Sequence, residues 1–191
     1  FGDSNSVTGD LYLRKNGGET IYTVAGSKAA CFEQTKADLF GGFNPAGLTS
    51  SAIEKATLTR ADGESFTLRA DSEPDTSADS ADSADSSTYR TVWRLAGDPA
   101  AELDETKVNS LLSALSSYVS SQITGADPAA YGFDAPSLTA EVTTAEGTVT
   151  LYYAANADGC WMMQAGDSSV YAVDLDTLST LLQTADSLKA E

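Results

Sequence analysis

The amino-acid sequence predicts an α+β fold, in which antiparallel hairpins and meanders form one or two sheets and two main helices pack on one face. Short β-type runs follow one another through brief turns, which favours antiparallel neighbours over a parallel α/β arrangement. Two leucine-rich segments, each starting near an Asp, have helical spacing. A third observation, an echo between the two ends of the chain, predicts an internal duplication.

Four of the β-type runs form two predicted hairpins, each closed by a turn that contains glycine. The first hairpin joins residues 53–58 to 65–69, and the second joins residues 138–143 to 148–153. The first turn holds an Asp-Gly pair, which is a typical hairpin signal between β-type runs. Three more strands are predicted at 89–95, 160–164 and 170–173.

An acidic segment at 71–87 is predicted to be a solvated, mobile loop before the strand at 89–95. It repeats a Ser-Ala-Asp triplet and holds no apolar residue larger than Ala, so it cannot bury enough surface to offset its ordering entropy. A calcium site is the alternative, but the Asp residues do not recur at the alternate positions of an EF-hand loop. The strand that follows alternates in polarity, and one face carries Tyr89, Thr91, Trp93 and Leu95.

Two helices are predicted, over about 104–120 and 174–188. Asp104 or the residue before it can cap the first helix, and Asp174 or Asp176 can cap the second. The apolar stripe of the first helix consists of Val108, Leu111, Leu112, Leu115 and Val119. The stripe of the second consists of Leu175, Leu178, Leu181, Leu182 and Leu188.

The internal echo lies at an offset of 140 residues, where six of the 19 positions from 8 to 26 are identical. The identical pairs are Thr8/Thr148, Leu11/Leu151, Tyr12/Tyr152, Asn16/Asn156, Ala25/Ala165 and Gly26/Gly166. Residues 1–50 are therefore predicted to be the partial first module, echoing 147–190. Residues 51–191 are predicted to form a complete second module.

Charge and composition exclude several classes of function. The chain has 11 basic and 28 acidic side chains and no His, which gives a net charge of −17. Nucleic acid is excluded as a partner, and an anionic membrane surface would repel the chain. Without His there is no Ser-His-Asp or Cys-His catalysis and no imidazole zinc site. No glycine-rich phosphate loop occurs either, so no cofactor, metal or catalytic residue is assigned.

The compartment is predicted from composition. No apolar run approaches the ~20 residues of a membrane-spanning helix, so this segment is not expected to insert into a membrane. The chain opens with Phe1 and not with Met, so we expect a targeting segment to have been removed. A composition rich in Ser, Thr, Asp, Ala and Gly, and poor in Lys, suits a secreted or envelope-facing bacterial protein.

The two cysteines, Cys31 and Cys160, leave two alternatives open. Each lies in an apolar run, which suits a buried unpaired thiol, but the pair can also form one disulfide. A catalytic thiolate is not expected at Cys160, because no basic side chain close in sequence can lower its pKa.

Several motifs together resemble a bacterial family of domains of unknown function, DUF4340. They are the strand end Trp93-x-Leu95, the Asp-started helix, residues 131–136 (YGFDAP) and the strand 170–173 before a terminal helix. The resemblance covers about residues 53–188, with Phe133 where the family usually has Leu. It implies envelope proteins held by an N-terminal membrane anchor, some beside auxiliary parts of gliding-motility-type ABC transporters. It supplies no catalytic residues.

The leading functional hypothesis is a non-catalytic binding or interaction module, extracellular or in the cell envelope, whose partner is an envelope or transporter-associated protein. Its predicted contact patch consists of Tyr152, Trp161 and Met162, because aromatic and methionine side chains suit adaptable contacts. Side chains of these types at strand positions more often fill a core, so a place in the core is the favoured interpretation of these three residues and the contact patch is its alternative. The alternative functions are a carboxylate-dependent hydrolase acting on cell-wall glycan and a structural spacer domain.

Overall fold

A computed structural model of the chain describes residues 2–16, 18–29, 44–74, 89–117, 119 and 121–190. The chain divides into two compact units, Phe1–Gly41 and Gly42–Glu191. In the first unit, strands β1 (Leu11–Arg14) and β2 (Ile21–Val24) form an antiparallel hairpin. A single helical turn, α1 (Gly26–Ala29), follows this hairpin.

The described part of the second unit is built around one antiparallel sheet. Its strands are β3 (Ile53–Arg60), β4 (Ser65–Pro74), β5 (Tyr89–Leu95), β6 (Ser121–Thr124), β7 (Leu138–Thr144), β8 (Gly147–Asn156), β9 (Gly159–Gln164) and β10 (Ser169–Val173). They lie in the order β5-β4-β3-β7-β8-β9-β10-β6. Neighbouring strands are antiparallel throughout, so the predicted hairpins and the α+β class are confirmed.

Strand alternation gives this sheet two faces with different chemistry. On the core face, Leu58, Leu138 and Leu151 are fully buried. The opposite face is rich in threonine, and hydroxyls pair across strands, as between Thr57 and Thr67 at 3.0 Å. Because successive side chains of a strand point to opposite faces, one hydrophobic residue in two is enough to build the core.

Two helices cover the core face. They are α2 (Glu105–Leu115) and α3 (Leu175–Leu181), which pack against each other and contribute to the same hydrophobic cluster as the strands. Their fully buried members include Leu111 and Leu181, both on the predicted leucine stripes. The prediction of two main helices on one face is confirmed.

Both helices are shorter than predicted. The helix predicted over 104–120 ends at Leu115, where the Ser116 hydroxyl donates to the Leu112 carbonyl and satisfies one of the last acceptors. The helix predicted over 174–188 ends at Leu181, and a 3₁₀ turn (Asp186–Leu188) follows. In that turn the Ser187 amide donates to the Thr184 hydroxyl, a local alternative to helical pairing.

The N-terminus of α2 depends on Asp104. Its carboxylate accepts hydrogen bonds from the amides of Thr106 at 2.9 Å and Lys107 at 3.2 Å. We expect Asp104→Ala to lower the free energy of unfolding by about 1 kcal/mol, because two helix amides lose their acceptor. Urea unfolding measures this loss. Asp104→Asn is the control, since its side-chain oxygen still accepts; an equal loss in both variants would contradict the capping role.

The acidic segment begins later than predicted. Asp71 and Glu73 belong to β4 and pair with β5, so a loop starting at residue 71 is wrong. The physical reason is Arg94 of β5, which forms ion pairs with both carboxylates on one face of the sheet. The remainder of the predicted loop, 75–87, lies outside the described residues.

The predicted duplication is visible in strand register. In the first unit, Leu11 pairs with Val24 and Arg14 pairs with Ile21. In β8 and β9, the residues 140 positions further on pair in the same way, from Leu151 with Gln164 to Ala154 with Trp161. The hairpin β1–β2 is therefore the structural counterpart of β8–β9.

Candidate functional site

An aromatic pair stands on the sheet face opposite the helices. Trp161 lies in β9, and Tyr131 ends a 3₁₀ turn (Pro128–Tyr131) before β7. The two rings meet edge to face, with centroids 4.9 Å apart and an interplanar angle of 78°. This T-shaped geometry is one that aromatic quadrupoles favour, so the pair has a defined orientation.

Asn156, at the end of β8, holds the pair in place. Its Oδ1 accepts hydrogen bonds from the Trp161 Nε1 and the Gly159 amide, both at 3.1 Å, and from the Asp158 amide at 2.9 Å. Its Nδ2 donates to the Ala130 carbonyl at 3.3 Å. One amide side chain thus connects the β8–β9 turn, the indole and the turn that carries Tyr131.

Gly132 lets the chain after Tyr131 approach the sheet. It adopts a left-handed conformation with φ of 88°, which other residues adopt at a cost. A β-carbon at this position would lie 3.6 Å from the Cβ of Ala154, a buried residue on the same sheet face. The Tyr-Gly pair of the YGFDAP motif therefore has a structural role in covering this end of the sheet.

The structure brings together two of the three predicted patch residues. Tyr152 of β8 and Trp161 of β9 are half-buried and share a face, because Tyr152 pairs with Met163 and Ala154 pairs with Trp161. Met162 is wrong as a surface residue: it is 4% exposed and points into the core beside Tyr153. Consecutive strand residues point to opposite faces, so Trp161 and Met162 cannot share a surface.

We call the surface made by Tyr131, Tyr152, Trp161 and Met163 the aromatic face. The predicted patch of Tyr152, Trp161 and Met162 does not include Met163, Tyr131 or the supporting Asn156. Strand alternation indicates Met163, because it lies two residues after Trp161 and therefore points to the same face of the sheet. Tyr131 stands in the YGFDAP motif, and Asn156 is one of the six identities of the internal echo.

A separate group of polar residues, Asp167, Ser169 and Tyr171, lies at the start of β10. The Tyr171 hydroxyl donates to Asp167 Oδ2 at 2.6 Å, and the Ser169 amide donates to Oδ1 at 3.0 Å. The hydrogen bond from Tyr171 lowers the pKa of Asp167, and burial together with that carboxylate raises the pKa of Tyr171. A lowered pKa keeps Asp167 ionised, the opposite of the shift that a general acid needs.

Cys160 is half-buried and carries a free thiol, whereas Cys31 lies outside the described residues. Within the described ranges, no group of three or more His, Cys, Asp or Glu side chains could hold a metal ion. A search of the same ranges for a helix long and apolar enough to cross a membrane found none.

The fold and the aromatic face define a class: an α+β protein whose antiparallel sheet carries helices on one face and an aromatic surface on the other. The chain belongs to the family described as domain of unknown function (DUF4340), whose sequence model matches it in two parts, residues 1–92 and 93–191. The suspected resemblance is thereby confirmed, and the two parts agree with an internal duplication. The predicted module boundary after residue 50 stays a prediction. Searches of curated proteins and of solved structures found no match.

Proposed function

We propose that this chain is a non-catalytic binding module of the bacterial cell envelope, which binds an envelope or transporter-associated protein through its aromatic face. The observation that carries the proposal is the Tyr131–Trp161 pair, fixed by Asn156 on the outer side of the sheet. Because the hydrogen bonds of Asn156 fix the two rings before a partner arrives, binding does not have to spend free energy on ordering them.

The composition of the aromatic face suits a protein partner. Tyrosine and tryptophan supply large contact areas and are the residue types that most often dominate binding energy at interfaces. Met163 adds a flexible thioether that adapts to irregular surfaces. The surroundings are threonine-rich, as at the Thr143–Thr148 hydroxyl pair, and provide the polar rim that such interfaces have.

The charge of the chain narrows the partner further. A net charge of −17 opposes association with nucleic acid and with anionic lipid. A neutral or basic protein surface is favoured by the same field. The chain belongs to the DUF4340 family, and the resemblance to that family implies envelope proteins, which supports the envelope as the location.

The proposal is tested by photo-crosslinking. A benzophenone amino acid is placed at Thr150, which lies on the same face of β8 as Tyr152, and the protein is incubated with solubilised envelope or with the soluble fraction of the source bacterium. We expect an adduct from the envelope fraction, and Trp161→Ala is expected to reduce its yield by about tenfold, as loss of a strong interface residue does.

A matched position is the control. The same crosslinker at Ser65, an exposed residue of β4 on that face of the sheet, should give no such adduct. Circular dichroism of each variant confirms that the sheet is intact. An adduct that Trp161→Ala leaves unchanged contradicts the aromatic face as the binding surface. Adducts of equal yield from the soluble fraction contradict an envelope partner, and the absence of any adduct favours a structural spacer.

A further inference from the structure

Strand β5 forms one edge of the eight-stranded sheet, with β4 on its inner side. The Ala96 amide donates to the Thr67 carbonyl at 2.9 Å, which fixes the ladder pattern between the two strands. In an antiparallel ladder the hydrogen-bonded residues alternate, so the amides and carbonyls of Thr91 and Trp93 point away from β4. The Leu95 carbonyl also points away from β4, because it accepts a hydrogen bond from the Asp98 amide, which lies outside the sheet.

A groove of about 630 Å³ runs along this outer edge. One wall consists of the consecutive residues 90–94 of β5, and the other consists of residues 100–103 with the first turns of α2. Consecutive strand residues point to opposite faces, so a groove that touches all of them follows the strand edge itself. Its volume falls in the range of sites that bind ligands in proteins.

The two sides of the groove differ in charge. On the sheet face away from the helices, Arg94 is paired with Asp71 and Glu73, whereas Arg90 makes no ion pair with any described residue. On the helix side, Trp93 and Leu103 are partly buried against the core. Glu102 and Glu105 also line the helix side. An incoming strand would therefore meet Arg90, which has no ion-pair partner among the described residues, on one of its faces and an apolar floor with a negative rim on the other.

We propose that the outer edge of β5 binds an extended peptide segment as a ninth strand of the sheet, with acidic side chains toward Arg90 and apolar side chains toward Trp93. Backbone hydrogen bonds to Thr91 and Trp93 supply the affinity of such strand addition, and side chains at alternate positions supply its specificity. A second copy of the chain is disfavoured as the occupant, because two molecules of charge −17 repel each other far more strongly than one such molecule repels a short acidic peptide.

The probe is a hexapeptide that alternates glutamate and valine. A dye at the N-terminus of the peptide reports binding by its fluorescence, so Trp161 and the rest of the aromatic face stay unchanged. We expect a saturable change in this fluorescence, and slower hydrogen exchange at the Thr91 and Trp93 amides. A peptide that alternates lysine and valine should bind at least about tenfold more weakly, because it places a like charge beside Arg90.

Two substitutions of one residue separate strand addition from other modes of binding. Thr91→Pro removes an outward amide that makes no bond to β4, and proline is tolerated on edge strands in that orientation. We expect it to weaken binding by about tenfold, whereas Thr91→Val keeps the amide and should bind as the parent does.

Three results would overturn the proposal. Equal affinity of the Thr91→Pro and Thr91→Val variants, with intact circular dichroism, would show that no strand is added. Equal affinity for the glutamate and lysine peptides would remove the role of Arg90. Concentration-dependent dimers that Thr91→Pro abolishes would assign the edge to a second copy. None of these outcomes involves the aromatic face, so the proposed function is tested separately.

Discussion

The Leu58→Ala variant is expected to lose about 3 kcal/mol of unfolding free energy, the typical cost of truncating a fully buried leucine. Leu58 is 0% exposed and lies in β3, near the middle of the strand order and on the face that the helices cover. The loss combines the transfer of fewer apolar atoms out of water with the cavity left behind. Because domains are stable by about 5–15 kcal/mol in total, urea unfolding should show a large shift of the midpoint.

Thr59, the next residue along β3, is the matched control. It is exposed on the opposite face, where its hydroxyl pairs with that of Ser65 at 3.0 Å. We expect Thr59→Ala to lose less than about 1 kcal/mol, because water replaces the lost hydrogen bond. Similar losses at both positions would contradict the assignment of a core face and an outer face to this sheet.

Much of the fold could be predicted from the sequence, because short-range patterns specify it. The turn after β3 holds Asp62 and Gly63, and the Asp62 carboxylate accepts the amide of Glu64 within the turn. Alternation along 89–95 predicts the core face of β5, where Leu95 is buried and Trp93 packs against the cluster. These features depend on residues that are neighbours in the chain, which is why a single sequence reveals them.

Features that depend on distant residues could not be predicted. Strand β6 has four residues, SQIT, without an alternating apolar pattern, and it forms because β10 offers an edge with which it pairs. The end of α2 is similar: Val119 fits the helical stripe and is buried, but it lies beyond the last helical turn. Tertiary packing placed Val119 in the core without requiring helical backbone.

The candidate site was predictable in part for the same reason. Tyr152 and Trp161 lie on two predicted strands that follow one another in the chain, and their closeness depends on the pairing of those strands, which the structure shows. Tyr131 reaches Trp161 from a turn 30 positions earlier in the chain, and nothing local indicates that contact. The role of Asn156 was hidden as well, because asparagine in a hairpin turn has an ordinary structural use.

The Tyr171→Phe variant is expected to be less stable than the parent by about 2 kcal/mol at neutral pH. The substitution keeps the buried ring and removes the hydroxyl that donates to the ionised Asp167 carboxylate at 2.6 Å. Hydrogen bonds to charged groups contribute more than neutral ones, and the lost bond is of this kind. Thermal and urea unfolding of the two proteins from pH 2 to pH 11 measure the difference.

The difference in unfolding free energy between the parent and Tyr171→Phe should change with pH on both sides of neutrality. The pKa of Asp167 is lowered from its ordinary value of 3.8, so the unfolded chain takes up the proton first and the advantage of the parent shrinks as the pH falls below about 4. The pKa of Tyr171 is raised from 10.0, so the parent also loses stability as the pH rises above about 10. Asp167→Asn, whose amide oxygen still accepts from Tyr171, is the control and should lack the acidic change. A difference between parent and Tyr171→Phe that stays constant from pH 2 to 7 would contradict the hydrogen bond to an ionised Asp167.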